Sequence, residues 1–142
     1  MSLPRRPPDV RLLYALLGVS LGIVMAANHD DTFKPLHVHL NLLGWASMGL
    51  FGLWYRSAPA ASETKLARIH FWLHNIALPI QMVTLAMFVG GNESIEPVLA
   101  LASIVMGIAF VCFAINQRYL MRPSVRFAAT CKIFRHISDN PE

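Results

Sequence analysis

Apolar residues gather along the chain into four blocks, 12–27, 36–55, 69–89 and 98–115, divided by short stretches of charged residues, Asn, Gly and Pro. A helix needs roughly 20 predominantly apolar residues to cross the hydrocarbon core. The two middle blocks reach that length, and the outer two call for slight extension into the interface or local thinning of the bilayer. No block alternates with the period of two that marks a barrel strand. The pattern predicts an all-α integral membrane protein: four transmembrane helices within 12–117, an N-terminal tail at 1–11 and a basic C-terminal tail at 118–142. Composition agrees, because 55% of the 142 residues are hydrophobic and only 14% are charged, whereas a soluble domain carries nearer a quarter charged residues.

Charge sets the expected orientation. Eleven of the twelve cations, all but Lys34, fall on the side that holds both termini, together with four of the eight acids. Asp30, Asp31, Glu93 and Glu96 lie on the other side, which leaves the two faces at −3 and +7 within the net +4. Because cytoplasmic segments retain Lys and Arg, both termini are expected in the cytoplasm of a multi-pass protein of a bacterial inner membrane. The basic character thus reflects topology and gives no reason to expect nucleic acid as a partner. The partner it implies is the lipid bilayer, whose anionic inner leaflet suits the tail beyond Arg118. The first block, preceded by Arg5, Arg6 and Arg11 and ending in small residues near Ala26, also fits a cleavable signal peptide; the reading taken is an uncleaved anchor. Two cysteines, Cys112 and Cys131, make no disulfide framework, and without a C-x-x-C-H sequence any haem would be b-type, held by coordination alone.

The candidate chemistry lies in the histidines. His37 and His39 stand at the start of the second block and are followed by Asn41, Gly44, Trp45, Gly49 and Gly52. At about 100° per residue, an i,i+2 pair on a helix points in directions about 200° apart, so the two rings serve different grooves. Solvated flanks, for the rings, and plain helix packing, for the glycines and for Gly18 and Gly22, are the structural alternatives. His70 and His74, four apart in the third block, share one face and form a second candidate site; with Gln81 they would line an inward-facing polar path. Pro79 is expected to bend this helix. The two histidine layers are separated by about 20 Å of helix rise, too far to share one iron. A six-coordinate iron at His37 or His39 therefore needs either His29 from the adjoining loop or another copy of the chain, and the latter is preferred.

The second and third blocks resemble the tenth and eleventh helices of the haem-copper oxidase catalytic subunit, the superfamily of cytochrome oxidase subunit I and the nitric oxide reductase large subunit. The likeness runs from His37 to about Met82. It is carried by His-x-His, Leu42, the glycine stretch and Trp54-Tyr55, then Arg68-Ile-His-Phe-Trp-Leu. The resemblance implies that His37 and His39 ligate two different haems and that His70 is not a haem ligand. It also implies an arrangement like one four-helix arc of a core built from three. The chain lacks that family's copper-binding His pair and its sixth-helix histidine, so oxygen reduction by a single copy is not expected.

The resulting expectation is a b-type haem protein, a homo-oligomer and preferably a trimer, with cofactor contacts from His37, His39, Asn41, Gly44 and Trp45. Its role would be electron transfer with an unknown redox partner, or binding of nitric oxide or oxygen. A minimal haem reductase, an oxidoreductase if the chain is an enzyme at all, is the alternative, and a copper-binding oxidase-assembly protein using His29, His37 and His39 is the other.

Overall fold

The computed structural model describes residues 9–120. The tails at 1–8 and 121–142, with Cys131, His136 and the segment expected to lie on the inner leaflet, fall outside these residues. The described residues are helical and contain no strand. Helix α1 is Val10–Asn28. Helix α2 (Lys34–His39), a π-helical segment (Leu40–Ser47) and α3 (Met48–Ser57) then follow without interruption as a second rod. After the short α4 (Pro59–Ser62), α5 (Lys65–Val89) forms the third rod; a 3-10 turn (Glu93–Ile95) leads into α6 (Glu96–Leu120), the fourth.

Three stretches, Val10–Asn28, Lys65–Val89 and Glu93–Arg118, are long and apolar enough to cross a membrane. The surface agrees with such surroundings. Leu16, Ile23, Leu50 and Leu53 are about two-thirds exposed, while His70, His74, Gln81, Thr84 and Asn116 are buried. A coat of aliphatic side chains over an interior that holds several polar side chains differs from the surface of a water-soluble domain.

Local chemistry fixes the rod ends. Asp9 caps α1 by accepting from the Arg11 amide at 3.2 Å, and the Arg11 guanidinium beside it holds its carboxyl below the usual carboxylate range. His29 closes α1 in the left-handed conformation, φ 52°, with its amide on the Met25 carbonyl; histidine tolerates that region better than most residues. In the following loop, hydrogen bonds from the Thr32 hydroxyl and amide lower the Asp30 carboxyl from its ordinary value. Thr64 caps α5 by accepting from the Ala67 amide at 3.0 Å, and its hydroxyl donates to Asn116 of α6 at 2.9 Å. Asn116 in turn donates to the Ala61 carbonyl at 3.1 Å, tying the far end of α6 to the α4 turn.

The rods run antiparallel. Tyr14 of α1 packs over Gly44, Gly18 over Asn41 and Gly22 over His37, so the register falls along one rod as it rises along the other. The third rod repeats this against the second, with His70 at Tyr55 and His74 at Leu43, and the fourth against the third, with Gln81 at Ser103. Leu40, Leu78, Met82 and Met106 form the centre of the apolar core, joined by Tyr14, Leu21 and Phe110. Helix α5 continues unbroken through Pro79.

The π segment departs from the plain helix expected at 36–55. The Asn41 side chain donates to the His37 carbonyl at 2.9 Å near the start of the wider winding, but the same bond from Asn75 to the Phe71 carbonyl leaves α5 regular, so it does not by itself account for the π segment.

Candidate functional site

The outer histidine layer lies where α1 ends and the second rod begins. A Cβ added at Gly18 would stand 2.5 Å from the Asn41 amide nitrogen, and one at Gly22 would stand 2.7 Å from the His37 ring. The two glycines therefore admit polar side chains of the second rod, and His37 rests half-buried on α1. Its Nδ1 lies 2.8 Å from the Gly18 carbonyl. His39 turns back along its own helix, with Nδ1 2.8 Å from the Pro35 carbonyl. The two rings thus engage different neighbours.

A carbonyl oxygen only accepts, so each neutral ring carries its proton on Nδ1 and keeps a lone pair on Nε2. An Nδ1–H held by a backbone carbonyl is how metal-ligating imidazoles are oriented, with the other nitrogen turned to the metal. Trp45 is half-exposed on the outside of the same rod. The space over Gly44 is filled by the Tyr14 ring, 2.5 Å from where a Cβ would stand; that surface receives α1 and has no room for a flat ligand. Asn41, held on the His37 carbonyl and against Gly18, supports the His37 ring. His29, exposed in its helix-capping role, does not join the other two. Among the described residues no three His, Cys, Asp or Glu side chains converge into a group able to hold a metal ion.

The inner layer is built around Phe51, whose ring meets His70 edge-on at 4.6 Å and His74 at 5.4 Å. Both imidazoles are almost fully buried, 3% and 2% exposed. The Tyr55 hydroxyl lies 3.2 Å from His70 Nδ1, and His74 Nε2 donates to the Leu43 carbonyl at 3.3 Å. That leaves His70 Nε2, His74 Nδ1 and, farther along α5, Gln81 Oε1 buried with no hydrogen-bond partner among the described residues. Beside the pair a cleft of about 900 Å³ opens between the start of α1, α3 and α5. Gly49 and Gly52 thin one wall: nothing lies within 4 Å of a Cβ at Gly49, and one at Gly52 would meet only the Arg11 guanidinium at 3.3 Å. Arg11, Arg56 and Asn75 complete the mouth.

The glycines of the second rod thus divide, Gly44 serving helix packing and Gly49 and Gly52 the cleft. Phe51 and Tyr55 are the contributors that patterning does not single out. Tyr55 at a rod end reads as an interfacial anchor, and only the antiparallel register of α5 reveals that it meets His70. No family model matches the chain, and no curated protein or solved structure matches it.

Proposed function

We propose that the chain is a four-span protein of a bacterial inner membrane, termini in the cytoplasm, that holds b-type haem at its outer histidine layer for electron transfer or binding of a small gas. The second rod is the fourth span, since Lys34–Ser57 is helical throughout although the π segment divides it. The observation that carries the haem reading is the shared protonation pattern of His37 and His39: each ring gives its Nδ1 proton to a backbone carbonyl at 2.8 Å and keeps Nε2 as a donor pair.

The donor set favours haem over a bare ion. Copper or zinc held by protein alone needs three or four converging ligands, and the described residues offer no such group. Porphyrin brings four nitrogens of its own, so one or two imidazoles suffice. Because the two rings engage different neighbours, His39 of one copy and His37 of the next would hold one iron between them, in a symmetric oligomer, preferably a trimer. The motifs that resemble the haem-copper oxidase catalytic subunit point the same way, since there the two histidines of His-x-His serve two haems. When bound, haem would supply a one-electron ferric/ferrous couple and, where one axial position exchanges, a seat for nitric oxide or oxygen. The chain's residues would orient the imidazoles through Gly18 and Pro35, and the aliphatic coat would keep water from the metal.

An absorption spectrum of the detergent-purified protein with iron and copper content per chain tests this. The expected result is a Soret band and a sharp reduced α-band at about one iron per chain. A ligand-shifted Soret band would mean an open iron and favour the reductase reading. A colourless monomer would end the haem proposal.

A further inference from the structure

The inner cleft and its buried imidazoles are not used by the outer haem site. We infer that the cleft is the mouth of a water-filled half-channel that brings protons from the inner membrane surface to His70 and His74. Which surface is inner rests on the orientation proposed above; the half-channel itself does not require haem.

Two independent observations meet here. The first is the cleft of about 900 Å³, whose wall includes both imidazoles. The second is the pair of buried polar atoms without protein partners beside it, His70 Nε2 and His74 Nδ1; Gln81 Oε1, also without one, lies seven residues farther along α5. These positions lie on one face of α5, since eleven residues from His70 to Gln81 bring the helix round to within about 20° of its starting direction. Buried polar groups in proteins are ordinarily satisfied by protein or by ordered water. Two such atoms beside an open cleft point to water reaching them from it.

The hydrogen bonds give the pair a direction. Tyr55 lines the cleft and places its hydroxyl on His70 Nδ1 at 3.2 Å, so cleft water reaches the first ring through a group that both donates and accepts. His74 gives its Nε2 proton to the Leu43 carbonyl, which leaves Nδ1 as a bare acceptor. The ring centroids stand 5.9 Å apart, so the two rings are neighbours in the relay. The charged and titratable groups around the pair are Asp9 and Arg11 at the start of α1, Arg56 and Tyr55 on α3, and Cys112 of α6 beside Tyr55. Asp9 is engaged by Arg11 at the mouth. Beyond it the imidazoles are the first basic groups that a proton meets.

Two measurements on the full chain in sealed vesicles test the inference. In a Cys112→Ser/Cys131→Ser background, single-cysteine variants Asn75→Cys and Ile76→Cys are exposed from the inner-surface side to a charged methanethiosulfonate reagent that does not cross membranes. Asn75 lines the cleft, while Ile76, one residue on, is 54% exposed on the aliphatic coat. Asn75→Cys is expected to react at least about tenfold faster, because the charged reagent reaches it through water and not through hydrocarbon. In the unsubstituted chain, deuterium exchange at the histidine Cε1 positions, read by mass spectrometry, is expected to bring His70 and His74 within on the order of tenfold of exposed His29, since exchange requires water and a protonatable ring. Equal labelling of the two cysteines, faster labelling from the opposite side, protection of Asn75→Cys by lipid seated in the cleft, or rings that fail to exchange would each overturn the proposal. Neither rate depends on haem, so a colourless protein with fast labelling and exchange would sink the preceding reading and leave this one standing.

Discussion

The two histidine pairs have the same residue type and opposite settings. His37 and His39 sit near one end of the rods, only partly covered, each with Nδ1 on a carbonyl and Nε2 free. His70 and His74 sit toward the other end, sealed around Phe51, with one nitrogen of each ring bonded and the other buried without a partner. Under the two proposals above, what would distinguish a ligand from a relay is whether the left-over nitrogen faces out of the chain or is buried within it.

Removing one ring from each pair separates the two roles most sharply. His39→Ala is expected to abolish haem retention, a fall of at least about tenfold in haem per chain, in line with the loss of a ligand or its orienting partner. His70→Ala should keep most of it. Haem content of the two purified variants decides the matter, and a reversed order would move the cofactor to the inner layer.

The next effect is on stability, where burial reverses the ranking. His74→Ala empties a site that is 2% exposed and is expected to cost about 2–4 kcal/mol, in the range of other large-to-small core substitutions. His74→Leu keeps the volume and removes the unpartnered nitrogen together with the Leu43 bond; replacing polar groups by an apolar group of similar shape is often close to neutral. Thermal unfolding in one detergent should therefore order the variants His74→Ala below His74→Leu, and a Leu variant as weak as Ala would mean that the polar contacts of the ring, not its volume, hold the site.

The glycines give a smaller contrast. Gly18→Ala places a methyl against the Asn41 amide and is expected to cost about 1–3 kcal/mol, as overpacking does, and to loosen His37. Gly49→Ala meets nothing within 4 Å and, inside a helix, should leave stability equal to the parent or up to about 1 kcal/mol above it. Smallest is the outer loop. The folded-state pKa of Asp30 lies below its ordinary 3.8, so its contribution is present above that value and fades as pH falls through the lowered one. Asp30→Asn should consequently melt slightly below the parent at pH 7, with the difference vanishing under strongly acidic conditions.

Much of this arrangement was legible in the apolar pattern. The blocks at 36–55 and 69–89 became rods at Lys34–Ser57 and Lys65–Val89, because length and hydropathy are properties of one segment at a time. The difference between Gly44 and Gly49 was not legible, since each depends on what another rod brings opposite it: the Tyr14 ring in one case, open space in the other. Tyr55 carried no signal for its inward turn toward His70 for the same reason. His37 and His39 did announce different neighbours, through the fixed angle between successive residues. The widened winding at Leu40–Ser47 was hidden because the apolar pattern of 36–55 is the same for either helix type.

That widened stretch joins the two layers mechanically. A π-turn bonds i to i+5 and holds one residue more than an α-turn, so exchanging one such bond for an i to i+4 bond would swing everything beyond it by one angular step, about 100°. Pro35 and His39 lie on one side of this swivel, Phe51 and Tyr55 on the other.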